Sequence, residues 1–73
     1  MTRRERMERR WAAADSLAQR LAAETLELPN RTAGAVAHAR AEQACPTKRA
    51  QQDAMRLVWG WRWKLRAAAQ EGA

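Results

Sequence analysis

Seventy-three residues with 14 Lys and Arg against 8 Asp and Glu, a net charge of +6, make at most one small and strongly basic domain. The hydrophobic fraction of 47% is mostly small: 18 Ala stand beside 6 Leu, 2 Val, 3 Met, 4 Trp and 1 Cys, with no Ile, Phe or Tyr. One Cys and one His exclude an internal disulfide and a closed zinc site, and no apolar run approaches the about 18 residues that would span a bilayer.

The arginine-rich start has no apolar stretch behind it, so a secretory signal is not expected, and a soluble, cytoplasmic protein (in the host cytoplasm if viral) is. The core must be thin. The four Trp, each able to bury about 150–250 Å², supply much of its area. Twelve of the fourteen basic residues are Arg, which favours bidentate recognition of phosphate and carboxylate over mere solubility. Charge is uneven along the chain: +3 over residues 1–10, −1 over 11–47 and +5 over 48–66.

The first element spans residues 2–28. Thr2 followed by Glu5 fits a capping box, and Trp11, Ala14, Ala18, Leu21, Thr25 and Leu28 recur at spacings of three and four, with Leu17 beside them. Pro29 ends the run. A short Ala-rich helix follows over 31–44, capped by Asn30 or Thr32 and stopped at Cys45-Pro46.

The third segment covers 47–70, opened by Pro46 or Thr47. Within it Leu57, Trp59, Trp61, Trp63 and Leu65 alternate with other residues as a strand would. The helical flanks and the lack of a sheet partner favour a helix, in which Trp59 and Trp63 share one face and Leu57, Trp61 and Leu65 another. One face would then meet the core and the other remain for a partner. The expected core holds Trp11, Trp59 or Trp61, Leu17, Leu21, Leu57 and Leu65, with at least one Trp exposed. The fold class is all-α: a single three-helix domain over 1–73, with residues 31–65 compatible with a helix-turn-helix-like arrangement.

No Ser/His/Asp constellation, phosphate-binding glycine loop or HExxH helix is present, so no catalytic residue, metal ligand or cofactor is assigned and a non-enzymatic role is expected. Two segments carry recognition chemistry. Arg3, Arg4, Arg6, Arg9 and Arg10 place five guanidiniums on three helical turns ahead of Trp11, a pattern suited to a negatively charged groove or an RNA hairpin. Glu5 and Arg9 are spaced for an ion pair. Trp59, Arg62, Trp63, Lys64 and Arg66 offer stacking and cation–π contacts to nucleic acid or protein.

Thr2-Arg3-Arg4 followed by Glu8-Arg9-Arg10 and a Trp resembles the arginine-rich motif of phage antitermination proteins of the lambda N type. The resemblance implies arginines that grip an RNA hairpin, a Trp that stacks on its loop, and engagement of host RNA polymerase. Here three residues separate the clusters where the family has one, which turns the second cluster by about 200° on a helix. Trp11 also follows the arginines directly, where the family leaves several residues between. Size and charge are similar as well to small phage-encoded proteins that redirect host RNA polymerase. The expected function is a phage-type transcription regulator that binds host RNA polymerase and inhibits initiation or causes antitermination. The alternatives are a direct RNA-hairpin or DNA binder and an inhibitor of another nucleic-acid machine.

Overall fold

The computed structural model describes residues 1–72 as three helices, α1 (Arg3–Glu24), α2 (Asn30–Ala44) and α3 (Lys48–Glu71), and no strand occurs among them. The all-α expectation holds. The strand alternative for residues 57–65 does not, because α3 runs unbroken through them. Helix propagation from both flanks satisfies every backbone group locally, whereas a lone strand would leave a row of them unpaired.

Local chemistry sets the starts. The Thr2 hydroxyl accepts from the Glu5 amide at 3.1 Å, the N-cap half of the expected box, and donates to Glu5 Oε1 at 3.2 Å, so that Glu5 reaches back to the hydroxyl and not to the Thr2 amide. Thr47 caps α3 by accepting from the Ala50 amide at 3.1 Å. The α1 end differs from expectation: the helix stops at Glu24, and residues 25–28 form the turn that leads to Pro29. Asn30 and Thr32 do not cap α2 either. Pro29 occupies that position without a side-chain bond, and the Asn30 side chain is drawn instead toward α3.

α1 and α3 point the same way along their main interface, since Arg10 meets Asp53, Asp15 meets Trp61 and Thr25 meets Arg62. α2 packs against both in the opposite direction, with Gly34 under the Trp59 ring near its start and Ala44, at its end, lining one cavity with Ala14 and Ala50 from the earlier parts of α1 and α3. The buried centre is mostly alanine: Ala14, Ala18 and Ala22 of α1, Ala33, Ala37 and Ala41 of α2, and Ala54 of α3. Only Leu21 and Val58 bring larger apolar side chains into it. Leu17, Leu57, Leu65, Trp11 and Trp61, expected inside, are half-buried along the seams. Alanine faces let backbones approach closely and leave no depth for a Leu or Trp between them, so large side chains wrap the edges.

Arg62 is the main departure from the sequence reading. Expected on a partner surface, it is 2% exposed. One guanidinium nitrogen donates to the Thr25 carbonyl and, at 3.0 Å, to the Thr25 hydroxyl. The other donates to the Leu28 carbonyl at 3.1 Å and to Asn30 Oδ1 at 3.2 Å. α1 has no basic residue in its own last turn, so Arg62 supplies from α3 the cation that its carbonyl end favours. Burial, and then the neighbouring Arg66 charge, lower the Arg62 pKa. Arg66 adds weaker bonds to the Leu26 and Leu28 carbonyls at 3.3 and 3.5 Å.

Arg62→Lys is therefore expected to destabilise the fold by about 2 kcal/mol or more, because a single ammonium cannot reach both sides of the turn. For a domain of this size the melting temperature should fall by roughly 10 °C. A melt unchanged from the wild type would show that the four oxygens do not need the fork.

Candidate functional site: two arginine-bearing surfaces

The first turns of α1 carry Arg3, Arg4, Arg6 and Arg9 in solvent. Arg4 pairs with Glu8 at 3.1 Å, an exposed i,i+4 contact of small energetic weight. The expected Glu5–Arg9 pair is not made; Glu5 is held by Thr2 in the capping box. On the same turns exposed Met7 and half-buried Trp11 continue the apolar stripe ahead of Ala14. With Arg3, Arg4, Glu8 and Ala12 they line a shallow cleft made of α1 residues alone.

Arg10 does not belong to this free set. Its Nε donates to Asp53 Oδ2 at 2.7 Å and its Nη2 to Oδ1 at 3.3 Å, a two-pronged pair with a buried carboxylate. The hydrogen bond from Arg10 holds the Asp53 carboxyl below its usual range against the opposing effect of burial, with Arg49 and Arg56 adding positive charge nearby. The same contact raises Arg10. Its guanidinium also lies 5.4 Å from the Trp11 ring centre. Arg10 and half-buried Trp11 are thus partly absorbed by the bundle.

On α3 the three clustered Trp separate, as the helical reading requires. Trp61 turns toward α1, where its indole N–H donates to Asp15 Oδ1 at 2.7 Å, and Lys64 sits 4.7 Å over its ring. Trp59 is 42% and Trp63 77% exposed on the outward face. Arg62, buried beneath Trp59 at 5.4 Å, holds that ring from inside and is unavailable to a partner. Lys64 lies on a different flank from Trp63, so of the expected α3 set only Trp59, Trp63 and Arg66 share one exposed face.

Arg49 and Arg56 join that face and were missed by the sequence reading. The signal was present in the spacing, since positions 49, 52, 56, 59, 63 and 66 alternate by three and four. Among the described residues no hydrogen bond or ion pair links residues 3–9 to 59–66, so these are two surfaces and not one site. Among the same residues no three His, Cys, Asp or Glu gather to hold a metal, and no helix is long and apolar enough to cross a membrane. No protein family, curated protein or solved structure matches the chain.

The clasp between Arg10 and Asp53 makes stability pH-dependent. Because the folded state keeps Asp53 ionised to lower pH than the unfolded chain does, the pair contributes fully above about pH 5 and is lost as the pH falls through the folded-state value. Asp53→Asn should lower the melting temperature at pH 7 and converge with the wild type in acid; parallel curves down to pH 2 would exclude this origin. Trp61→Ala should cost roughly 2–3 kcal/mol, less than a fully buried Trp, while Trp63→Ala should leave the melt nearly unchanged. Equal losses for the two would contradict the assignment of Trp61 to the bundle and Trp63 to the surface.

Proposed function

We propose that the protein is a non-enzymatic regulator of the phage type that docks on the RNA polymerase of a bacterial host through the arginine turns of α1, with inhibition of initiation or antitermination as the outcome. One observation carries this reading: Arg3, Arg4, Arg6 and Arg9 project into solvent from turns that contribute nothing to the buried core. Exposed arginines are cheap to keep and add little to folding, so a cluster of four is best accounted for by a negatively charged partner. The adjacent Met7 and Trp11 cleft offers the apolar contact that protein interfaces combine with Arg and Trp.

Direct grip of an RNA hairpin by the same turns has less support. The second arginine cluster shares Arg10 with the buried Asp53, and Trp11 is half-buried where a stacking residue would stand free. A polymerase surface needs neither.

The test is co-elution of the full chain with purified bacterial RNA polymerase after nuclease treatment, followed by transcription from a template that contains a terminator. Binding should survive nuclease and change either the start or the read-through of transcripts. Replacing Arg3, Arg6 and Arg9 together with Ala should leave the melting temperature nearly unchanged and weaken binding with a flatter salt dependence. Full affinity in that triple variant would reduce these residues to a solvated helix end.

A further inference from the structure

We propose a second binding surface, on α3, that takes single-stranded nucleic acid: its bases stack on Trp63 and Trp59 while its phosphates run along Arg49, Arg56 and Arg66. The proposal concerns a different helix from the polymerase-docking turns and stands without them.

The outward stripe of α3 reads Arg49, Gln52, Arg56, Trp59, Trp63 and Arg66, all exposed, at alternating spacings of three and four. No acidic residue lies on the stripe itself: Asp53 is buried against Arg10 and Glu71 lies beyond its end, while Glu27 borders Arg66 and Glu42 borders Gln52 from the neighbouring elements. A stripe with three guanidiniums and no carboxylate complements a polyanion. Trp63 is 77% exposed and Trp59 42%, although large aromatic surface normally goes inside or against a partner. The two rings are one helical turn apart, about 6 Å along the axis, which is within reach of neighbouring bases on an extended strand. Arg62 lies 5.4 Å from the Trp59 ring centre from below, and the ring edge passes over Gly34, so this platform is held in place before any ligand arrives.

Gly60 follows Trp59 and lies one turn before Trp63, exposed in the middle of the helix. A Cβ there would meet nothing within 4 Å, so packing does not require the glycine. Its effect is to leave the helix backbone bare next to the rings, where a base or sugar can approach closely.

Three features favour a single strand over other occupants. A duplex hides its base faces, so the rings would have nothing to stack on. A partner helix reading this stripe as a seam would meet apolar side chains at only two of the six positions. Stacking on aromatic platforms flanked by arginine is the chemistry that single-strand binders use without strong sequence preference.

The test is fluorescence anisotropy of the full chain with labelled dT and U oligonucleotides of 12 nucleotides, against a duplex of equal length and against anionic phospholipid vesicles. Single strands should bind about tenfold or more tightly than the duplex. Trp63→Ala should remove about tenfold of that affinity, Trp63→Phe should restore most of it, and both should melt like the wild type. Arg49→Ala with Arg56→Ala should weaken single-strand binding and reduce its salt slope. Replacing the α1 arginines should leave the preference for single strands intact. Equal affinity for duplex and single strand, indifference to Trp63→Ala, or binding to vesicles without binding to oligonucleotides would each overturn the proposal.

Discussion

A single buried guanidinium ties the three helices together. Arg62 leaves α3, enters the junction where α1 ends and α2 begins, and meets oxygens of Thr25, Leu28 and Asn30. A turn of this kind exposes several carbonyls with no partner of their own, and here the turn is packed against α3 with Thr25 buried and Leu28 half-buried, so that Arg62 takes the place of water at these oxygens. The charge of Arg62 has no carboxylate beside it. It is compensated by four oxygens and by the negative end of the α1 dipole, an arrangement in which each group needs the other. Among the described residues no buried side-chain nitrogen or oxygen lacks a partner, which is what allows a charge in so small an interior.

The alanine core explains why such a clasp is needed. Seven of the nine buried apolar residues are Ala, and each contributes little area. Close packing of backbones recovers dispersion contacts, but a core with only Leu21 and Val58 as large members cannot specify the orientation of three helices by shape alone. Directional contacts do so instead. Arg10 with Asp53 sets one end of the α1–α3 interface, Trp61 with Asp15 its middle, and Arg62 with Thr25 the other end. These three bonds fix register and direction where the hydrophobic surface is nearly featureless.

The same clasps divide the arginines into two populations. Arg10 and Arg62 are consumed by the fold, while Arg3, Arg6 and Arg9 on α1 and Arg49 and Arg56 on α3 stay in solvent with no hydrogen-bonded partner for their side chains among the described residues. Arg20, Arg31 and Arg40 are exposed as well, and the densest rows of positive charge lie on these two faces. Repulsion between them is tolerable because they belong to different helices and are screened within about 10 Å at ordinary salt. A fold that uses charges inside and leaves charges outside has a surface poised for polyanionic partners and a core that loses part of its stability in acid.

What the sequence by itself determined is the set of features written within four residues of each other. The Thr2–Glu5 box, the Thr47 cap, the breaks at Pro29 and Pro46, and the separation of Trp61 from Trp59 and Trp63 all follow from local hydrogen bonding and the helical period. The α1 stripe through Ala14, Ala18, Leu21 and Thr25 was legible for the same reason. Only the tertiary structure decided which arginines are free. Arg10 finds Asp53 at a separation of 43 residues and Arg62 finds Thr25 at 37, and neither pairing is written in any spacing along one helix. Arg62 and Arg66 look equivalent in sequence, yet a rotation of about 40° about the α3 axis puts one inside and the other at the surface. The helical period fixes that offset, but which side of it meets the core is set by how α3 packs on the alanine faces of α1 and α2, a property of the assembled bundle and of no single segment.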